Sequence, residues 1–448
     1  MSADTRPPGD EAPGLPVSAA ALRQRLAAID ALALAEPSVL QAHQNDSLQG
    51  LHTHYLQHSP WYRQRCHAAG FRDDEALTLQ SLHRLPPITR ADLQAQGDAA
   101  FTDPPAEHGA VQLTQTSGSS GEPVRVARTA LSHGYWMAYG VREHQWFQRD
   151  PGQSLFVVRA NLPRRFIGQS GWGPPLSLLT QTGAGYAASL SLSTAELAGL
   201  MTELKPAYAL LYPSVLRDLL RQFASLGTVP PGLKQVRSLG ETLPQDLRDA
   251  VKAAWSVDTV DTYSSQELGV IAIQCPDGDG YHLMAENLIV EVLRTDGTPC
   301  APGEIGQVVA TDLHNLATPL VRYAIGDLAE AGGSCRCGCR LPMVRAIRGR
   351  ERNLITYPDG QRRWPLVGFA KFRDIAPIAQ YQVVQHTTDL IELRLVCAPL
   401  STPQEQALKD VMRSALGHAF PIDISYHPGG LPQQANGKHE EVISLVNP

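Results

Sequence analysis

Between Leu155 and Thr262 short apolar runs alternate with longer helical patterns, and this alternation limits the possible architectures more than any other feature of the chain. Leu155-Phe156-Val157-Val158 reads as a strand, and Ser193 with Glu196 makes a capping box ahead of Leu197, Leu200 and Met201. Tyr208 to Tyr212 reads as the next strand, Ser214 to Leu226 as an amphipathic helix, Gln235 to Leu239 as a strand and Leu243 to Trp255 as a helix. Thr259 to Thr262 closes the series as a short strand. Repeated strand–helix units predict an α/β fold, a parallel sheet with helices on its faces.

In open parallel sheets a ligand sits beyond the carboxyl ends of the strands, so the residues just after each strand matter most. Gly240-Glu241 and Tyr263-Ser264-Ser265-Gln266-Glu267 both fall there. A glycine and a carboxylate at one strand end, with an aromatic and a carboxylate at its neighbour, can hold a nucleotide and Mg²⁺. Glu241 reads equally as an acidic residue at a helix start, favoured by the helix dipole.

Upstream, Thr114 to Val126 packs hydroxyl residues between glycines: Thr116, Ser117, Gly118, Ser119, Ser120 and Gly121. Glycines let the backbone turn sharply and approach closely, while N–H groups and small hydroxyls donate to phosphate oxygens. A Walker-type loop fails on spacing, because Glu122 and Pro123 follow Gly121. A hydrolase nucleophile elbow fails as well, because neither Ser119 nor Ser120 has glycine two residues to each side. Taken alone, the run fits a phosphate loop or a solvated Ser/Gly turn.

Elsewhere the pattern changes. Ala19 to about Gly70 is helical, with Leu22, Leu26 and Ile29 on one face and Leu51, Tyr55 and Leu56 later. Thr89 with Asp92 caps a short helix. Ser132 to Phe147 carries Tyr135, Trp136, Tyr139 and Trp146 at helical spacing, ordinarily a core stripe. From Asn287 to Gly326 the strands become antiparallel, turning at Asp296-Gly297. Cys335-Arg336-Cys337-Gly338-Cys339, with Cys275 and His282 flanking a Gly/Asp-rich loop, offers three thiolates and an imidazole for tetrahedral zinc. The set is Cys275, His282, Cys335 and Cys337, with Cys339 as a competitor and reduced, unligated thiols as the alternative. Beyond residue 349, strands at Tyr381–Gln385, Ile391–Val396, Ile422–Tyr426 and Val442–Val446 surround a helix opening at Thr402, Pro403 and Glu405, with Leu408, Val411, Met412, Ala415 and Leu416 on its buried face.

Several stretches occur together in one order: His58-Ser59-Pro60-Trp61-Tyr62-Arg63, Leu85 to Arg90, the Ser/Gly loop, Tyr263 to Gly269, Pro319 to Asp327, Gly349-Arg350 and Gly437-Lys438. In this the chain resembles the phenylacetate-CoA ligase-like branch of the acyl-adenylate-forming superfamily. The resemblance implies a large N-terminal domain (19–348) with parallel sheets flanked by helices and a small antiparallel β subdomain, then a smaller, mobile α+β C-terminal domain (349–448). It implies AMP-forming activation of a small aromatic or other carboxylic acid, then transfer to CoA. Loading of a carrier protein, or amide synthesis with an amine acceptor, is the alternative. An amidase built on Ser119 and Ser120 fits less well, because the residues around them match the ligases.

By the same resemblance the Ser/Gly loop grips phosphate, Gly240, Glu241 and Tyr263 pack around adenine, with Ser264 and Arg350 nearby, and Asp327 takes the ribose hydroxyls. Glu267 holds magnesium and Lys438 is the catalytic lysine of adenylate formation. Tyr135, Trp136 and Tyr212 are expected to line the acid pocket, and the zinc is expected to be structural. Two departures stand out. Arg352 stands where the family usually has an acidic residue at the hinge, and Tyr357 to Pro365 differs from the glycine-containing loop that meets the pantetheine tunnel in CoA ligases.

Composition narrows the class further. A net charge of −6 and no basic stripe offer no case for nucleic acid or an anionic membrane. Residues 1–18, beginning with a Pro-, Asp-, Glu- and Gly-rich run to Pro16, read as a disordered tail without the apolar core of a signal peptide. Seven cysteines, an odd number, suit a reducing cytoplasm better than a disulfide framework. A homodimer is compatible with all of this.

Overall fold

The computed structural model describes residues 17–115, 124–160, 162–278, 280–350, 354–363, 372, 374–431 and 442–446. Helix α1 (Ala19–Leu34) starts at Ser18, whose hydroxyl accepts from the Ala21 N–H, and it buries Leu22, Leu26, Ile29 and Ala33. α2 (Pro37–His58) and α3 (Pro60–Ala68) both begin on proline, whose fixed φ suits a first helical position. α4 (Arg90–Gln96) has the expected Thr89/Asp92 capping box.

β1 (Val111–Gln115) and β2 (Arg125–Thr129) form an antiparallel pair that closes at Gln115 opposite Arg125. The Thr116–Gly121 run lies between those paired ends, outside the described residues. α5 (Ala130–Trp146) follows, with its N-cap at Thr129.

The alternating segment then appears as β3 (Leu155–Arg159), β4 (Phe166–Gln169), β5 (Gly185–Ser189), α6 (Thr194–Leu204), β6 (Tyr208–Leu211), α7 (Pro213–Ser225), β7 (Gln235–Ser238), α8 (Gln245–Trp255) and β8 (Asp258–Ser265). β5, β3, β6, β7 and β8 are parallel neighbours. Sequence reading missed β4 and β5. The second is rich in small residues because a Cβ at Gly185 would lie 2.3 Å from the Gly171 carbonyl, so close backbone approach replaces the usual β-branched signal.

β8 also overturns an expectation. It does not stop at Thr262 but runs through Ser265, because its second half pairs antiparallel with β9 (Gly269–Gln274). Beyond it come β10 (Tyr281–Leu283), β11 (Leu288–Leu293), β12 (Ile305–Asp312), β13 (Tyr323–Ala331) and β14 (Met343–Arg350). β8 therefore joins the parallel and antiparallel portions into twelve hydrogen-bonded strands, in the order β11-β12-β13-β14-β10-β9-β8-β7-β6-β3-β5-β4.

α6, α7 and α8 bury their apolar faces on the parallel strands, α7 through Val215, Leu216, Leu219, Leu220 and Phe223. Each such side chain contributes about 1.5–3 kcal/mol on burial. α1 and α5 pack together over Val270 and Ile273 of β9.

The chain ends in β15 (Ile355–Thr356), β16 (Arg362–Arg363), β17 (Gln380–Thr387), β18 (Leu390–Val396), α9 (Thr402–Leu416), β19 (Ile422–Tyr426) and β20 (Val442–Ser444). The last four strands form a sheet ordered β19-β18-β17-β20. Leu408, Met412 and Leu416 of α9 pack with Val383, Ile391, Leu393 and Leu395 in a cluster drawn only from residues 355–442. α9 opens at Thr402 as expected. Ser401 caps it and exchanges bonds with Gln404, while Val411 and Ala415, expected on the buried face, are only half-buried.

Candidate functional site

Strands β8, β13 and β14 place several expected residues side by side. Tyr263, in β8, is buried, and its hydroxyl donates to Asp327 Oδ2 at 2.7 Å. Asp327 lies in β13 directly opposite Arg350 of β14, whose Nε is 3.6 Å from Asp327 Oδ1. Gly326 just before it has φ of +83°, a left-handed conformation that glycine adopts without the Cβ penalty. Burial, then the neighbouring Asp327 charge, pushes the Tyr263 hydroxyl well above its ordinary pKa, so it stays a donor.

Glu267 sits in the turn after β8, only 6 % exposed. Its Oε1 lies 3.5 Å from the Tyr323 hydroxyl and 3.6 Å from an Arg90 nitrogen. Both contacts are longer than a tight charge-assisted bond. Ser264 is exposed beside a register shift between Tyr263 and Ser264, the kind of irregularity that re-aims side chains at strand ends.

Gly240 and Glu241 follow β7, and Gly240 has φ of +72°. The Glu241 carboxylate caps a neighbouring helix rather than serving its own. Oε2 accepts from the Ser214 N–H at 2.8 Å and Oε1 from the Ser214 hydroxyl at 2.9 Å, at the start of α7. Its negative charge at that N-terminus fixes the 240–241 loop against α7.

The expected pocket residues separate. Trp136 of α5 lies against Gly269, where an added Cβ would stand 3.4 Å from the indole, and the Arg128 guanidinium sits 4.6 Å from a ring centroid on its face. Arg128 also donates to the Gln266 carbonyl at 2.5 Å, gripping the turn that carries Glu267. Tyr135 instead stacks on His314 at 4.2 Å and faces Arg25. Tyr212 is packed with Leu211, Val215 and Leu216 in the core. Lys438 lies outside the described residues.

Sequence reading did not single out Arg90, Arg128 or Tyr323 for the site. Arg90 was visible as the residue after a helix cap and as the end of the Leu85 to Arg90 stretch, neither of which gave it a site role. Arg128 gave no local signal and Tyr323 was marked only as part of the Pro319 to Asp327 stretch, because their partners are more than 50 residues away.

The cysteine and histidine cluster forms as expected. One ligand atom each from Cys275, His282, Cys335 and Cys337 lies within 4.8 Å of the others. Cys275 Sγ and Cys335 Sγ are 3.6 Å apart, too far for a disulfide and close to the ~3.8 Å edge of a tetrahedral zinc–thiolate site. His282 turns Nε2 to Cys337 Sγ at 3.2 Å while Nδ1 faces the Leu341 carbonyl at 3.3 Å, the outer contact that fixes a metal-binding tautomer. Burial pushes the Cys275 thiol up to about 12 and the His282 imidazole down. Cys339 does not compete. It stands outside the group and packs beside Leu341.

No protein-family model matches the chain. The phenylacetate-coenzyme A ligase of Escherichia coli K12 is 26 % identical over 439 residues, covering 94 % of this chain and 98 % of that protein. Over most of its length the chain is thus similar to the phenylacetate-CoA ligases, as its motifs led one to expect. The family enzyme of the same name from Thermus thermophilus is 25 % identical over 331 residues, 70 % of this chain and 71 % of that one. The fold agrees. A solved 2-hydroxyisobutyryl-CoA ligase in the postadenylation state matches with a TM-score of 0.72 at 18 % identity, over 93 % of this chain and 91 % of that one. The amide bond synthetase McbA from Marinactinospora thermotolerans matches with a TM-score of 0.51 at 16 % identity, over 72 % and 66 %. No described helix is long and apolar enough to cross a membrane.

Proposed function

We propose that this protein uses ATP to convert a small carboxylic acid to its acyl-adenylate, releasing pyrophosphate, and then passes the acyl group to CoA. The observation that carries this reading is the convergence of Tyr263 in β8, Asp327 in β13, Arg350 at the end of β14 and Glu267 in the turn after β8. An ionised carboxylate has the acceptor capacity for both hydroxyls of a ribose, and Asp327 is held ready for them by the Tyr263 hydroxyl. In this reading the loop at Gly240 offers backbone for adenine and Glu267 serves the nucleotide's phosphates.

A carboxylate has no good leaving group, so its oxygen must first be joined to AMP. It attacks the α-phosphorus in line, and cations offset the crowded negative charge. Lys438 supplies one of these, and the Thr116–Gly121 loop grips the departing pyrophosphate. Mg²⁺, held by Glu267, would supply further neutralisation. A thiol then attacks the acyl carbon and AMP leaves. Residues 349–448 act as a mobile domain that withdraws Lys438 between the steps.

The acid is small and aromatic in this reading, with the Trp136 indole as a wall of its pocket. Zinc fits the Cys275, His282, Cys335 and Cys337 set, and with four protein ligands it is structural.

Pyrophosphate release and AMP formation, screened over carboxylic acids with ATP and magnesium, test the proposal. Acid-dependent AMP with thioester formed from CoA is expected, and its absence across the panel would sink it. Thioester from CoA alone excludes the amine-transferring alternative, whereas amide from amines in its place would establish it. Lys438→Ala should lower adenylate formation by at least ~10²-fold while sparing transfer from a preformed adenylate.

A further inference from the structure

A buried hydrogen-bonded chain runs from the cysteine and histidine cluster to the loop at Gly240. Gln274 precedes Cys275 at the end of β9, and Tyr281 precedes His282 in β10. The two face each other across the ladder. The Gln274 side-chain oxygen accepts from the Asp261 N–H at 2.9 Å and from Arg248 at 2.7 Å. Arg248, from α8, also donates to the Tyr281 hydroxyl at 2.9 Å, and that hydroxyl donates to Asp261 Oδ2 at 2.8 Å. The other carboxylate oxygen of Asp261 accepts from the Ser238 hydroxyl.

Ser238 is the last residue of β7, directly opposite Asp261 in β8, and Leu239-Gly240-Glu241 follow it. The loop is thus tied at both ends, at Ser238 by Asp261 and at Glu241 by Ser214. Asp261 is 7 % exposed and both its oxygens are engaged, so releasing either partner leaves a buried acceptor unmet.

We infer that the cysteine and histidine cluster is a remote brace for the nucleotide loop, with Tyr281, Asp261 and Ser238 as positioning residues for ATP. If the cluster opens, β10 loses its anchor, Tyr281 leaves Asp261, and Ser238 with Gly240 drifts from its place. This rests on the reading of Gly240-Glu241 as the adenine loop.

The experiment is calorimetric titration of the full-length protein with a non-hydrolysable ATP analogue, beside KM measurements for ATP and for the acid. Ser238→Ala and Tyr281→Phe should each weaken analogue binding about tenfold and leave the KM for the acid unchanged. Ser238→Thr, which keeps the hydroxyl, should restore affinity. Cys335→Ser should weaken binding in the same direction, and Ser238→Ala/Cys335→Ser should bind no worse than the weaker single variant.

Unchanged affinity in folded Ser238→Ala and Tyr281→Phe proteins would overturn the brace, as would losses that multiply in the double variant. If Cys335→Ser does not fold, Gln274→Ala takes its place and must show the same non-additivity with Ser238→Ala. Failure of the unsubstituted protein to bind the analogue at all would instead remove the adenylate reading beneath it.

Discussion

The Tyr263 hydroxyl donates to Asp327 across two parts of the sheet that meet at β8, at 2.7 Å. This bond orients a carboxylate before any ligand arrives, because the phenol cannot ionise where it is buried. Loss of a hydrogen bond to a charged group costs about 1.5–3 kcal/mol. Tyr263→Phe should therefore raise the KM for ATP by roughly tenfold with little change in kcat. Asp327→Ala should raise it by about 10²-fold and abolish discrimination between ATP and 2′-deoxy-ATP. A variant at Asp327 that still prefers ATP would show that the ribose lies elsewhere.

Glu267 gives a second prediction. Its carboxylate is buried but only loosely engaged by Tyr323 and Arg90, an arrangement that suits a metal-binding oxygen. Glu267→Gln keeps the shape and removes the charge. Adenylate formation should fall by about 10²–10³-fold, with the half-saturating magnesium concentration raised. Transfer from a preformed adenylate to CoA should be nearly unaffected. Pyrophosphate release titrated with MgCl₂ reads the first effect, and rapid-quench thioester formation reads the second.

Apart from β4 and β5, the strands and helices from Leu155 to Trp255 were legible because each carried its own period, and α6 also carried its own cap, Ser193 with Glu196. Asp327 and Glu267 were legible from the motifs around them. What these residues are tied to was not. Glu241 caps α7 rather than α8, and Arg128 holds the turn at Gln266, through contacts that local periodicity does not encode. β5 escaped for a related reason, since its glycine answers to the backbone of Gly171 rather than to strand propensity. The extension of β8 was hidden because Tyr263-Ser264-Ser265 has no apolar alternation, and pairing with β9 alone keeps it extended. Tyr135 and Trp136 are adjacent on α5, so a stripe read as one surface divides between a histidine stack and the Glu267 turn.

The cluster of Cys275, His282, Cys335 and Cys337 predicts one metal ion per chain, most readily zinc. Protein purified without chelator should contain near-stoichiometric zinc by elemental analysis, and Cys335→Ala should lose it. Prolonged chelation should lower the melting temperature by roughly 5–10 °C, because a ligand bound only to the folded state stabilises it by mass action. Cys339→Ala should keep its metal, since that thiol stands outside the group.

Buried histidines set the response to acid. Burial holds His133 down at about 4, and His144 and His314 at about 3, against an ordinary imidazole value of 6.5. Each is therefore neutral in the folded protein at pH values where the unfolded chain is already protonated. A depressed folded pKa means that the unfolded state binds more protons, so these groups remove stability progressively as pH falls from about 6.5 toward 3. Glu143 adds to the loss at lower pH. Burial alone would raise its carboxyl, but Arg237 and Arg149 overcome that and hold it at about 2, so its contribution disappears between its ordinary 4.5 and 2. Asp312, lifted to about 6 by burial, works in the opposite sense and gains protons on folding between about 6 and its ordinary 3.8. Burial also lowers His52, His54 and His108 and raises the carboxyls of Asp261 and Glu286, so lowered histidines still outnumber raised carboxyls and the melting temperature should fall steadily from pH 7 to pH 4. His314→Gln should flatten that slope, because an amide does not titrate, and an unchanged slope in this variant would show that His314 is not among the groups that drive it.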